Sequence, residues 1–95
     1  MTANTVFVEK DSQILLENII LGHPLMNCKV VYSDGRDEEI ADVCYDSRGY
    51  IIINHKSNPE QYSRSYYYTH ELVGDEPKFQ ILVPEGTQLW HFVRA

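Results

Sequence analysis

The 95-residue sequence predicts an α+β domain spanning 1–95. A short N-terminal strand and one helix over about 11–21 precede an antiparallel β-meander of five to six strands, with room to curl into a half-open barrel. Three observations predict this. A single segment carries apolar residues at helical spacing between a good cap and a good stop. From residue 27 onward the pattern turns to strands, with turn residues recurring about every ten positions. The connections are too short for parallel crossovers, so neighbouring strands pair as hairpins.

The elements follow in order. The segment 5–9 (TVFVE) is β-branched and aromatic, a short strand. Asp11 and Ser12 suit a helix N-cap, and Gly22 followed by Pro24 suits its end. Between them Ile14, Leu15, Leu16, Ile19, Ile20 and Leu21 form a wide apolar arc. It leaves Gln13, Glu17 and Asn18 to face water. An alternative makes Lys10-Asp11 a hairpin turn into a strand at 13–16. Strands are then expected at 28–33, 39–46, 50–56, 65–73, 78–83 and 88–94. Asp34-Gly35, Arg48-Gly49, 74–77 and 84–86 punctuate them.

Strand register sharpens the expectation. A four-residue loop at 74–77 sets Leu72 opposite Phe79, His70 opposite Ile81 and Tyr68 opposite Val83, turning Tyr68, Leu72, Phe79 and Ile81 inward together. The next hairpin is open between two registers. One turns Leu89, His91 and Val93 inward; the other, favoured by aromatic burial, turns Trp90 and Phe92 inward. A three-residue loop at 35–37 would set Cys28 opposite Cys44; a four-residue loop would place them on opposite faces.

Composition limits the function. Fourteen acids against 8 bases give a net charge of −6, which disfavours phosphate backbones and anionic lipid and favours a protein partner with a basic surface. The apolar stretch 14–21 is far shorter than the roughly 20 residues of a membrane span. The lack of a signal-peptide pattern predicts a cytoplasmic protein, and its two cysteines then read as free thiols. Neither belongs to a CxxC pair, the acids lack EF-hand spacing, and no metal or cofactor is expected. No hydrolase, zincin, phosphate-loop or dinucleotide motif occurs, so the sequence specifies no reaction and no catalytic residue. Ser, His and Glu side chains exist, but nothing in the sequence brings them together.

Three groups remain as candidates. Asp34, Asp37, Glu38, Glu39, Asp42 and Asp46 crowd one hairpin whose only base is Arg36; they guard an edge or steer a basic partner. Tyr66, Tyr68 and His70, with Arg64 at the rim and Trp90 nearby, suggest a ligand wall. Against that stands plain cross-strand packing, with His70 a satisfied core histidine. Ile51, Ile52 and Ile53 are apolar on both faces, as in a strand covered on both sides, and suggest an interface with a second copy. The leading expectation is a small non-enzymatic module that docks on a larger partner and modulates or inhibits it. The alternatives are a ligand-binding domain or minor enzyme with a Tyr/His pocket, and a homo-oligomeric structural or assembly subunit.

Overall fold

In the computed structural model, which describes residues 4–57 and 63–90, Asp11 caps the helix as its residue type demands. Its Oδ1 accepts from the backbone N–H of Gln13 at 2.9 Å and of Ile14 at 3.1 Å, satisfying two donors that the first turn leaves unpaired. The helix α1 runs Ser12–Ile20 and ends before Gly22, whose φ of +89° only glycine adopts readily. Leu15, Leu16 and Ile19 enter the core, while Ile20 and Leu21 stay exposed, so the wide apolar arc is only partly covered.

Six strands form one antiparallel sheet among the described residues. They are β1 (Phe7–Glu9), β2 (Leu25–Tyr32), β3 (Asp37–Tyr45), β4 (Ile51–His55), β5 (Ser63–Tyr67) and β6 (Phe79–Pro84), in spatial order β1-β6-β2-β3-β4-β5. The hairpins β2–β3, β3–β4 and β4–β5 follow the expected meander. The fourth connection does not. β6 crosses back to lie between β1 and β2, pairing antiparallel with both. Cys28, Val30, Ala41, Val43, Ile51, Ile53, Phe79, Ile81 and Val83 form the covered face, joined in one core with the helix and Leu72.

The register expected for 65–83 is therefore corrected. The strand ends at Tyr67, and Thr69–Glu71 form a 3₁₀ turn. The Glu71 carboxylate accepts from the Tyr68 N–H at 2.9 Å, a local bond that competes with continued strand pairing. Gly74 sits so close to this turn that a Cβ there would collide with the His70 carbonyl oxygen. Leu72, Phe79 and Ile81 are buried as expected, but Tyr68 is 55% exposed and His70 is exposed rather than facing the core. Leu72 closes the core from a loop instead of a strand.

Three further expectations change. Asn18 faces the interior at 1% exposure, not water. Its Nδ2 donates to the carbonyls of Ile14 at 2.8 Å and Trp90 at 3.0 Å, and its Oδ1 accepts from the Trp90 N–H at 2.8 Å. Trp90 is itself 59% exposed, and Leu89 packs on the core instead, in the sense of the alternative hairpin register. Residues 88–90 form no strand, and 91–95, with His91, Phe92 and Val93, lie outside the described residues. Cys28 pairs with Ala41 and Cys44 with Ile52, so the two thiols occupy opposite faces and are free.

Two irregularities shape the β2–β3 ladder. An extra residue in β2 falls beside Asn27, whose φ is +54°. A second bulge lies in β3, where three steps from Glu38 to Ala41 oppose two from Val30 to Cys28. The sheet also curls. Four strand spacings of about 4.8 Å would hold β5 roughly 19 Å from β6 if it were flat. Yet the Tyr67 and Phe79 rings meet at 4.7 Å. The curl stops short of closure, with β1 and β5 left as edges among the described residues. No helix among the described residues is long and apolar enough to cross a membrane.

Candidate functional site

On the covered face, at the β4–β5 end, three side chains meet that the sequence left apart. Ala41 pairs with His55, and Ile53 with Ser65, so His55 and Ser65 share that face on adjacent strands. Strict alternation would send Glu38 to the other side from Ala41. The β3 bulge reverses this, and Glu38, opposite Val30, joins them. The His55 Nδ1 makes a hydrogen bond to Glu38 Oε1, and His55 Nε2 lies 2.7 Å from Ser65 Oγ. Ser57 Oγ donates to the other carboxylate oxygen, Oε2, at 2.9 Å. With the imidazole proton on Nδ1, directed at Glu38, Nε2 is free to accept the Ser65 hydroxyl proton.

The setting is half-buried and aromatic. The side chains of His55 and Glu38 are 18% and 15% exposed. Tyr32 stands beside them: burial, then Tyr67 and the Glu38 charge, push its phenol up to about 12, and it shares a hydrogen bond with Tyr67. Tyr67 lies two positions along β5 from Ser65 on the same face and packs on Phe79. Tyr32, Leu72 and Phe79 also line a cavity of about 300 Å³.

The opposite, open face carries the predicted tyrosines. Tyr66 and Tyr68 are 47% and 55% exposed. Both rings meet Tyr50, at 6.1 Å edge-on and 5.5 Å tilted, and His70 stacks on Tyr68 at 5.6 Å. Arg48 extends over Tyr50 and Tyr66 with its guanidinium carbon 5.2 and 5.5 Å from their centroids. Asp46 holds it there through Nε at 2.9 Å and Nη2 at 2.8 Å. Beside this row Arg64 lines a cleft of about 550 Å³ with Asp42, Asn54, Lys56 and Ser63. Trp90 is not part of the row; it stacks on His23 near the helix end at 5.2 Å.

Against known proteins, no family model, curated protein or solved structure matches the chain.

Five of the six acids of the hairpin have local partners. Asp34 accepts from the Arg36 backbone and Nε, and Asp37 lies 3.5 Å from Lys29. Glu38 belongs to the His55 group. Asp42 accepts from the Asn27 N–H at 3.0 Å and Lys56 Nζ at 3.1 Å, stabilising the β2 bulge. Asp46 gathers the N–H groups of Arg48 and Tyr50 besides the Arg48 side chain. These turn donors hold the carboxyls of Asp34 and Asp46 below the usual carboxylate range. The Glu39 side chain lies outside the described residues. Ile51 and Ile53 are 0% exposed and Ile52 8%, so the run is covered within one chain. Burial pushes the Cys28 thiol up to about 12, and burial above all raises Cys44 too, so neither offers a reactive thiolate near neutral pH.

What the sequence missed is the Glu38–His55–Ser65 group. Its only signal is that His55 and Ser65 fall on one face once β4 and β5 pair. The bulge that turns Glu38 toward them leaves no mark in the alternation.

Proposed function

We propose that the chain is a protein-interaction module that docks on a larger partner and modulates it through the open face of β4 and β5. The exposed side chains of Tyr66, Tyr68 and His70, packed around the half-buried Tyr50 and braced by Arg48, carry this reading. Tyrosine and arginine supply large, stiff contact area and dominate interface hot spots. β5 is an edge of the sheet among the described residues, so its outer backbone groups suit an extended partner segment. The partner fitted to this surface is basic. The net charge of −6 attracts it, and the exposed faces of Tyr66 and Tyr68 offer a cationic side chain the contact that Arg48 already makes with Tyr66. The overall surplus of acids supplies the long-range field, since Asp34, Asp37, Asp42 and Asp46 each have a basic partner.

Crosslinking in the native host tests this, with the double variant Tyr66→Ala/Tyr68→Ala as control. Both side chains are about half exposed, so the variant keeps its circular dichroism. A basic protein captured by the wild type and lost from the variant supports the docking surface. Equal capture of every partner by both proteins removes it.

The cleft beside Arg64 favours a second reading, binding of a small anion between Lys56 and Arg64. Loss of such binding in Arg64→Ala, with protein capture unchanged, would single it out.

A further inference from the structure

We propose that Ser65 is an acyl-accepting nucleophile, with His55 its general base and Glu38 a positioning residue, giving the protein esterase activity toward activated aryl and short-chain esters. The activity is separate from docking and sits on the opposite, concave face of the sheet.

Nucleophilic serine chemistry requires a hydroxyl within hydrogen-bond reach of a base, and a third group orienting that base. Ser65 Oγ at 2.7 Å from His55 Nε2 meets the first condition, and the Nδ1–Glu38 bond the second. Ser57 adds a further constraint by holding the second Glu38 oxygen at 2.9 Å, which fixes the carboxylate plane. A histidine buried for packing alone needs its two nitrogens satisfied, and any polar atoms would serve. Here the two partners are a carboxylate on one nitrogen and a hydroxyl on the other, each from a different strand, and a bulge is needed to bring the carboxylate in.

The reaction balances within the group. The Ser65 Oγ–H proton passes to His55 Nε2 as Oγ bonds to the ester carbonyl carbon. The tetrahedral adduct collapses by breaking the bond to the leaving oxygen, which takes the proton from His55. Water then attacks the acyl-Ser65 ester, gives its proton to His55, and Ser65 recovers it as the carboxylic acid leaves. Tyr67 beside Ser65, packed on Phe79 at 4.7 Å, provides an aromatic wall for an aryl or short acyl group. Activated esters are the class expected because their leaving groups need little assistance.

The test combines a fluorophosphonate probe, read by intact mass and peptide mapping, with hydrolysis of p-nitrophenyl acetate. Wild-type protein should gain one adduct at Ser65 and hydrolyse the ester. Ser65→Ala should lose the adduct and the hydrolysis above background. His55→Gln should slow labelling by about 10²-fold or more, the range for a general base. Glu38→Gln should keep slow labelling of Ser65 but shift the pH–rate profile, a change that a packing role would not produce. Circular dichroism confirms folding of each variant. If folded wild-type protein gives no adduct at Ser65, or if folded Ser65→Ala hydrolyses as fast as wild type, the proposal is overturned. The first of these outcomes needs no variant at all.

Discussion

Asn18 does at the residue scale what a strand pairing would do for a longer segment. One amide accepts the N–H and donates to the carbonyl of Trp90, so the backbone at 90 is held as if by a neighbouring strand. Replacing it leaves two backbone groups with a buried cavity in place of partners. Asn18→Ala is expected to cost about 1–3 kcal/mol in urea unfolding and to change the fluorescence of the single Trp90, which stacks on His23 close by. The sequence could not announce this. An asparagine on the polar stripe of an amphipathic helix looks the same whether solvent or a chain segment takes its hydrogen bonds. His55 poses the same difficulty: its partners depend on a register and a bulge, neither of which composition encodes.

At the scale of elements, local chemistry was legible and its non-local use was not. The Asp11 cap, the Gly22 stop and the turns at Asp34-Gly35 and Arg48-Gly49 stand where residue preferences put them, because each is decided within a few residues. The run at 65–73 misled for the same reason. Its β-formers favour extension, but the Glu71 carboxylate bonds back to the Tyr68 N–H and bends the chain out of the sheet. The turn at 46–50 yields a pH prediction. The turn N–H donors favour the charged form of Asp46 and lower its pKa in the folded state below 3.8. Its contribution is therefore present above the unfolded value and lost as pH falls through the folded one. Wild-type protein should lose stability from about pH 5 downward, and Asp46→Asn should show a shallower loss, measured as urea midpoints across that range.

For the whole molecule, the class α+β, the position of the α-helix and most strand positions were readable, whereas the sheet order was not. Short connections argue for hairpins, and the 68–78 segment instead crosses the covered face and drops Leu72 into the core. Leu72 at 2% exposure closes the core from the loop between β5 and β6. Leu72→Ala should cost about 2–5 kcal/mol by calorimetry or urea, a large share of the stability of so small a domain. β6 gives the architecture its other consequence. Among the described residues β1 bonds only to this strand, Glu9 meeting Leu82, although most of the chain separates them. Until the sixth strand arrives, β2 has a bare flank. A sheet completed by so distant a pairing raises the contact order, which favours slower, topology-limited folding.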